Sequence, residues 1–409
     1  MKVLYINAVK EIGSTGRNYS QISRYLKEHG ESISIAYSYG KVGSNEISDC
    51  DSYKIGTNFE KKVHALCSRI FGLQGYFSYF STKKLLKYID TFNPDIVQLG
   101  NLHSNYINIK LLLKYLAEKD IITIVDLHDC WFFTGRCTHY TVTNCYKWQT
   151  ECKNCPRLKK DNNSWFFDFS KKMYKDKKKL FNSIPRLIVI GVSDWIINEA
   201  KRSFLSNSKS IVRIYNWVDF KTFRPVNVEH LKNEMNFKNK FIILSIASEW
   251  SNDKGLDKFI ELSEIVGDDM KVVLVGNIDK EIIENSKIIN IPSTNNIKRL
   301  VEYYCIGDVF VNFSIEETFG KVSAEALACG LPILTFNSTA NSELVGNDCG
   351  YVVDDYDVRK FYEYIKKVKE HGKEYYTKNC INFAKKNFNM DLNIKKYYYL
   401  YKKELGDIK

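Results

Sequence analysis

Residues 309–336 read VFVNFSIEETFGKVSAEALACGLPILTF, a complete strand, loop, helix and strand. The apolar runs at 308–313 and 331–336 predict two buried strands. Between them, residues 314–320 predict a loop, and roughly Val322 to Cys329 a short helix. Gly330 supplies a left-handed stop and Pro332 forbids continuation. Strands joined through a crossover helix are parallel. The helix N-terminus therefore lies at the carboxyl edge of the sheet, where free N–H groups and the helix dipole favour a phosphate. Glu317 falls in the loop and Glu325 in the helix. Eight residues apart, they do not share a helical face, but both can reach one ligand from different elements.

Outward from this unit, composition narrows the class. The chain has 409 residues, enough for two or three domains. Hydrophobic content of 44% and charged content of 26% describe a globular chain. No apolar run approaches the ~18 residues of a membrane span. The N-terminus, MKVLYINAVK, reads as a first strand rather than a signal peptide, so the expectation is a cytoplasmic protein. Eleven cysteines without a secretion signal argue against a disulfide framework. The net charge of +12 calls for an anionic partner. No helix-turn-helix, RNA-binding or zinc-finger signature points to nucleic acid.

The pattern from Lys2 to Ala8 predicts a strand, 11–17 a loop holding Gly13 and Gly16, and 18–29 a helix. Glycines there permit close backbone approach to phosphate or sugar. Residues 61–90 predict one helix, 94–99 a strand, 109–118 a helix and 121–127 a strand. His103 and Asn105 follow the first of these strands and His128 follows the second. Ligands of open α/β sheets bind beyond such carboxyl ends. Strands are further expected at 186–192, 211–215, 240–247, 271–276 and 350–353, and helices at 295–304, 357–371 and 377–403. Lys254 stands just past one of these strands, beside Gly255.

Cys130, Cys137, Cys145, Cys152 and Cys155 crowd the segment 130–155. Cys152-Lys153-Asn154-Cys155 is half of a common zinc knuckle. Cys137, Cys145, Cys152 and Cys155 could therefore hold a structural zinc, the alternatives being free buried thiols or a local disulfide. From 152 to 180, ten Lys/Arg against three Asp interleave with Trp165, Phe166, Phe167, Phe169 and Tyr174. A basic, aromatic face suits the anionic inner leaflet of a membrane; an ordinary solvated surface is the alternative.

Glu317-Thr318-Phe319-Gly320-Lys321-Val322 followed by Glu325-Ala326-Leu327-Ala328-Cys329-Gly330-Leu331-Pro332 resembles the Glu-x7-Glu signature of family 4 retaining glycosyltransferases. His128-Asp129-Cys130-Trp131-Phe132-Phe133-Thr134-Gly135-Arg136-Cys137 is similar to a stretch in the Cys-rich members from bacterial capsule and exopolysaccharide clusters. The resemblance implies the α/β GT-B fold, two Rossmann-like doubly wound domains facing across a cleft. The expected division is 1–216 (with 130–155 a Cys-rich insertion), 217–380, and 381–409 as a terminal helix crossing back. Asn216-Trp217-Val218-Asp219 with Phe223-Arg224-Pro225 resembles the family's hinge.

The resemblance also implies roles. Glu325 would hold the donor ribose, and Glu317 would sit by the donor sugar, whose hydroxyls meet amides around Phe319 and Gly320, with Lys321 and Val322 adjoining. Gly16 and His128 would approach the donor and Lys254 its diphosphate, while His103 and Asn105 are acceptor-side candidates by their place past a strand end rather than by the resemblance. The family's second cation is replaced by Glu249. The implied reaction moves a hexose from a UDP- or GDP-type sugar to a lipid-linked glycan acceptor, with retention and with no catalytic metal. The expected location is cytoplasmic or peripheral on the inner membrane face. A nucleotide-sugar epimerase or a non-catalytic sugar-nucleotide-binding protein is the alternative.

Overall fold

Runs of β-branched and aromatic residues separated by amphipathic helices build two parallel sheets. The computed structural model describes residues 1–40, 50–284 and 286–407. The chain divides into two compact units, Met1–Ile214 with Ile394–Lys409, and Tyr215–Asn393.

The first unit carries β1 (Lys2–Val9), β2 (Ser32–Tyr39), β3 (Asp51–Lys54), β4 (Ile96–Leu99), β5 (Ile122–Leu127), β6 (Leu187–Gly191) and β7 (Ser210–Arg213). Their order is β3-β2-β1-β4-β5-β6-β7, with every pairing parallel. The second unit carries β8 (Phe241–Glu249), β9 (Met270–Asn277), β10 (Ile288–Ile291), β11 (Val309–Asn312), β12 (Ile333–Phe336) and β13 (Gly350–Val353). Its order, β10-β9-β8-β11-β12-β13, repeats the first without a counterpart of β7 and is again parallel throughout. In each sheet the winding reverses beside the first strand, between β1 and β4 and between β8 and β11. That reversal opens a crevice at the carboxyl edge, the usual ligand position of the doubly wound fold.

Both sheets have apolar interiors. Val3, Leu4, Tyr5 and Ile6 of β1 and Val309, Phe310 and Val311 of β11 are fully buried. The C-terminal helix, Met390–Leu405, docks in the first unit through polar contacts. Tyr401 meets Tyr5 at 3.0 Å and bonds Gln98, while Tyr397 donates to Asp126 at 3.5 Å. Tyr19 also donates to Asp126, at 2.8 Å, and Gln98 bonds the same carboxylate.

Three sequence-based spans are corrected. The helix at 61–90 is two helices, Asn58–Phe71 and Tyr79–Phe92. Gly72, at φ 67°, ends the first in the left-handed region. The span 377–403 is likewise two helices, Lys373–Phe388 and Met390–Leu405, broken at Asn389 with ψ 129°. The glycine loop at 11–17 is shorter than expected, because helix Gly13–Glu28 already begins inside it.

Candidate active site

In the second unit, β11 leads into the loop 313–320, and helix Lys321–Ala328 returns to β12, parallel to β11. Gly320 is the N-cap, at φ 85°, and no side chain caps this helix end. Its positive φ favours glycine, and a Cβ there would in addition approach the tip of Leu344, Cδ1, to 2.7 Å. The loop is pinned by the segment after β12. Asn341 Nδ2 donates to the Ser314 carbonyl at 2.6 Å, and the Glu317 N–H donates to Thr339 Oγ1 at 3.1 Å. The loop backbone is thus held by the side chains of Asn341 and Thr339.

Glu317 Oε1 lies 2.6 Å from Lys254 Nζ, and Ser314 Oγ lies 3.5 Å from the same nitrogen. Lys254 ends a single helical turn after β8, Asn252–Lys254. The predicted phosphate cation and the predicted sugar-side carboxylate thus meet directly. Glu325 is buried, and its Oε2 accepts a 2.8 Å hydrogen bond from Tyr304 OH. Tyr304 is fully buried on helix Ile297–Ile306, and burial together with Glu325 pushes its hydroxyl well above the ordinary range. It remains a proton donor, as a carboxylate partner requires. Neither glutamate lies on the exposed surface, the Glu317 side chain being 18% exposed.

Phe319 is buried against Tyr215 and Phe388, with centroids at 6.0 and 5.3 Å. Its ring is a packing element, which leaves only its backbone for a ligand. Lys321 and Val322 open the helix and are partly exposed. Glu249 is exposed at the end of β8.

The first unit places its candidates on the corresponding edge. His103 follows β4 and His128 follows β5. His103 Nε2 lies 2.8 Å from Asp129 Oδ2, which ties the two loops together. Burial opposes the Asp129 carboxylate, but His103, the Trp131 N–H and His139 outweigh it and hold the carboxyl below its usual range. His128 packs edge-on to Tyr19 of helix Gly13–Glu28, with centroids 6.2 Å apart. Gly16 sits in the first turn of that helix. A Cβ there would meet the Glu11 nitrogen at 3.1 Å and the Val9 carbonyl at 3.3 Å. Asn105 adopts φ 58° in the β4 loop.

Sequence reasoning left Asp129 and Tyr304 without roles. Asp129 was signalled by its place beside His128 at a strand end. Tyr304 carried no local signal, because its contact with Glu325 crosses between helices. The basic face at 152–180 also needs correction. Lys177 is fully buried, donating to the carbonyls of Trp131 at 2.6 Å and Thr134 at 3.2 Å. Tyr174 is buried too, while Lys171 and Lys175 each pair with Glu151 at 3.0 Å.

Residues 227–387 match the family described as Glycosyl transferases group 1. The chain is 22% identical over 368 residues to the putative colanic acid biosynthesis glycosyl transferase WcaC of Escherichia coli K12, covering 88% of each chain. Among solved structures it resembles a glycosyltransferase from Rickettsia africae, with TM-score 0.69, 18% identity and coverage of 99% and 98%. It also resembles Anabaena HepE in complex with UDP and glucose, with TM-score 0.67, 14% identity and full coverage of both chains. These structures share the two parallel-sheet Rossmann-like units, the GT-B class. Residues 227–387 are thus similar to the group 1 glycosyl transferases, and the chain is a glycosyltransferase.

Proposed function

We propose that the chain transfers a hexose from a nucleoside diphosphate sugar, of the UDP or GDP type, to a lipid-linked glycan acceptor in surface polysaccharide assembly, with retention at the anomeric carbon. The observation that carries this reading is the carboxylate pair of the second unit. Glu317 is joined to Lys254 and Glu325 is held by Tyr304, beside the uncapped helix start at Gly320. Glu325 would bind the ribose hydroxyls. Lys254 and the helix-terminal amides would stabilise the charge that develops on the leaving diphosphate, without a divalent cation. Glu317 would orient the sugar and stabilise its cationic transition state. The acceptor hydroxyl would attack from the leaving-group side and pass its proton to a diphosphate oxygen. In the first unit, His128 is the sugar-contacting candidate, and His103 and Asn105 are the acceptor-side candidates. Relatives named for colanic acid and capsule synthesis, and neighbours solved with UDP and UDP-glucose, support the reading.

A peripheral stay on an anionic membrane face belongs to the same proposal. Phe59, Phe80 and Phe166 are 75%, 74% and 70% exposed. Phe71 stacks on Phe167 at 6.1 Å, and the Trp165 backbone N–H donates to the Arg69 carbonyl at 2.6 Å, so the exposed rings of Phe71 and Phe167 adjoin. Lys62 and Arg69 lie exposed on the same helix, a pairing of apolar and cationic groups that suits anionic lipid.

The test is a donor panel read by mass spectrometry for nucleoside diphosphate release, with and without lipid-linked acceptor. Acceptor-dependent release supports transfer. Donor conversion without acceptor would show an epimerase, and binding without turnover a sugar-nucleotide-binding protein; either overturns the proposal.

A further inference from the structure

The four thiols of Cys137, Cys145, Cys152 and Cys155 border one small cavity of about 20 Å³ within the first unit. That volume holds a single water-sized particle, and so one metal ion. None of the four forms a disulfide. Among the described residues, no three His, Cys, Asp or Glu side chains already bracket a metal ion, so ligation would draw the thiols inward.

What surrounds the cavity is one-sided. Arg136 and Trp148 line it, and both are at least 98% buried. Arg136 Nε and Nη1 and Trp148 Nε1 have no hydrogen-bond partner among the described residues. Lys147 and Lys153 line the same cavity from the exposed side, Lys147 Nζ donating to the carbonyls of Lys153 and Asn154 at 3.2 and 2.9 Å, so the unpartnered buried nitrogens at the cavity are those of Arg136 and Trp148. Buried donors of this kind are costly unless an acceptor or an anion faces them. Neutral thiols are weak acceptors. Four thiolates around a divalent ion carry a net charge of −2, which supplies what these donors lack.

Local backbone also fits a thiolate knuckle. Asn154, inside Cys152-Lys153-Asn154-Cys155, takes φ 46°, and Asn144, just before Cys145, takes φ 48°. The Gly135 N–H donates to Cys152 Sγ at 3.2 Å. A Cβ on Gly135 would lie 2.7 Å from the Ser170 carbonyl and 2.9 Å from Cys152 Cβ, so only glycine lets that amide reach the sulfur.

We propose that Cys137, Cys145, Cys152 and Cys155 bind one zinc ion in a closed tetrahedral site. Four thiolates leave no open position, so the ion is structural. It staples the segment whose Trp131 packs against His103, with centroids 5.8 Å apart. Thiolate ligands select a soft, tetrahedral cation over magnesium or calcium.

The full-length chain, expressed with added zinc and purified under reducing conditions without chelating resin, is assayed by plasma mass spectrometry. About one zinc per chain is expected. Exchange with cobalt(II) should give sulfur-to-cobalt charge-transfer absorption and intense visible bands. Cys145→Ser, at a partly exposed position, should keep the wild-type circular dichroism spectrum and lose the zinc. A chelator should lower the melting temperature of the wild type and leave that of Cys145→Ser unchanged. Several outcomes overturn the proposal: a folded wild-type chain with negligible zinc, zinc retained by Cys145→Ser, iron in place of zinc, or a disulfide among these cysteines.

Discussion

Removing one oxygen, by Tyr304→Phe, probes whether Glu325 is a preset ribose ligand. The phenol is fully buried, and its 2.8 Å bond to Glu325 Oε2 is a donor to a charged acceptor. Such bonds contribute about 1.5–3 kcal/mol, which corresponds to roughly 10- to 150-fold in an equilibrium constant. The ring packs against Phe223 and Phe310, with centroids at 5.9 and 6.0 Å, and phenylalanine preserves those contacts. Packing is therefore kept while the carboxylate loses a fixed donor. Donor affinity, measured by calorimetric titration, should fall about 10- to 100-fold. The turnover number should change little, because the ribose is remote from the bond that breaks. In a Glu325→Ala background, which leaves the Tyr304 hydroxyl no carboxylate or amide acceptor at that position, the same change should cost less than about twofold, since two groups acting as a unit are non-additive. Full additivity in that cycle would refute the reasoning. So would unaltered donor affinity in a folded Tyr304→Phe chain.

Lys254→Ala should lower kcat/KM by about 100-fold or more, the usual loss when one electrostatic stabiliser of a leaving group is removed; near-normal rates would show its phosphate role misassigned. Asp126 carries a pH prediction. Burial lifts its carboxyl from 3.8 to about 7, against the opposing bonds from Tyr19, Gln98 and Tyr397. The folded chain keeps a proton that the unfolded chain loses above about pH 4, so this stabilisation is present at low pH and lost as pH rises through about 7. Asp126→Asn should therefore gain in melting temperature relative to wild type between pH 5 and pH 8, and parallel profiles would contradict this. Phe59→Ser and Phe166→Ser should each weaken co-sedimentation with anionic vesicles about tenfold or more, from ~1.5–3 kcal/mol per buried ring. Equal binding to neutral vesicles would remove the charge argument.

The unit at 309–336 was readable because short apolar runs, a glycine stop and a proline are local signals. The same holds for His103 and His128, which a strand end places at the sheet edge. Contacts across elements were not readable. Lys254 meets Glu317, 63 residues away, and Tyr304 meets Glu325 from a neighbouring helix. Edge strand β3 reads DSYK, too polar to show as a buried strand, whereas the equally short β11 and β12 are apolar. Gly72 looks like any helical glycine until its φ of 67° is seen, and Asn389 breaks a helix with neither glycine nor proline nearby. Lys177 illustrates the limit of composition. In a run of lysines it reads as surface, yet its ammonium lies 3.4 Å from the Trp131 ring centroid, inside the fold.

The most direct test is calorimetric titration of UDP- and GDP-sugars into the wild-type chain, Glu317→Gln and Glu325→Gln. One nucleotide sugar should bind the wild type with saturable affinity, and each single substitution should weaken it at least tenfold. Undiminished binding in both folded variants would show that the two carboxylates do not hold the donor.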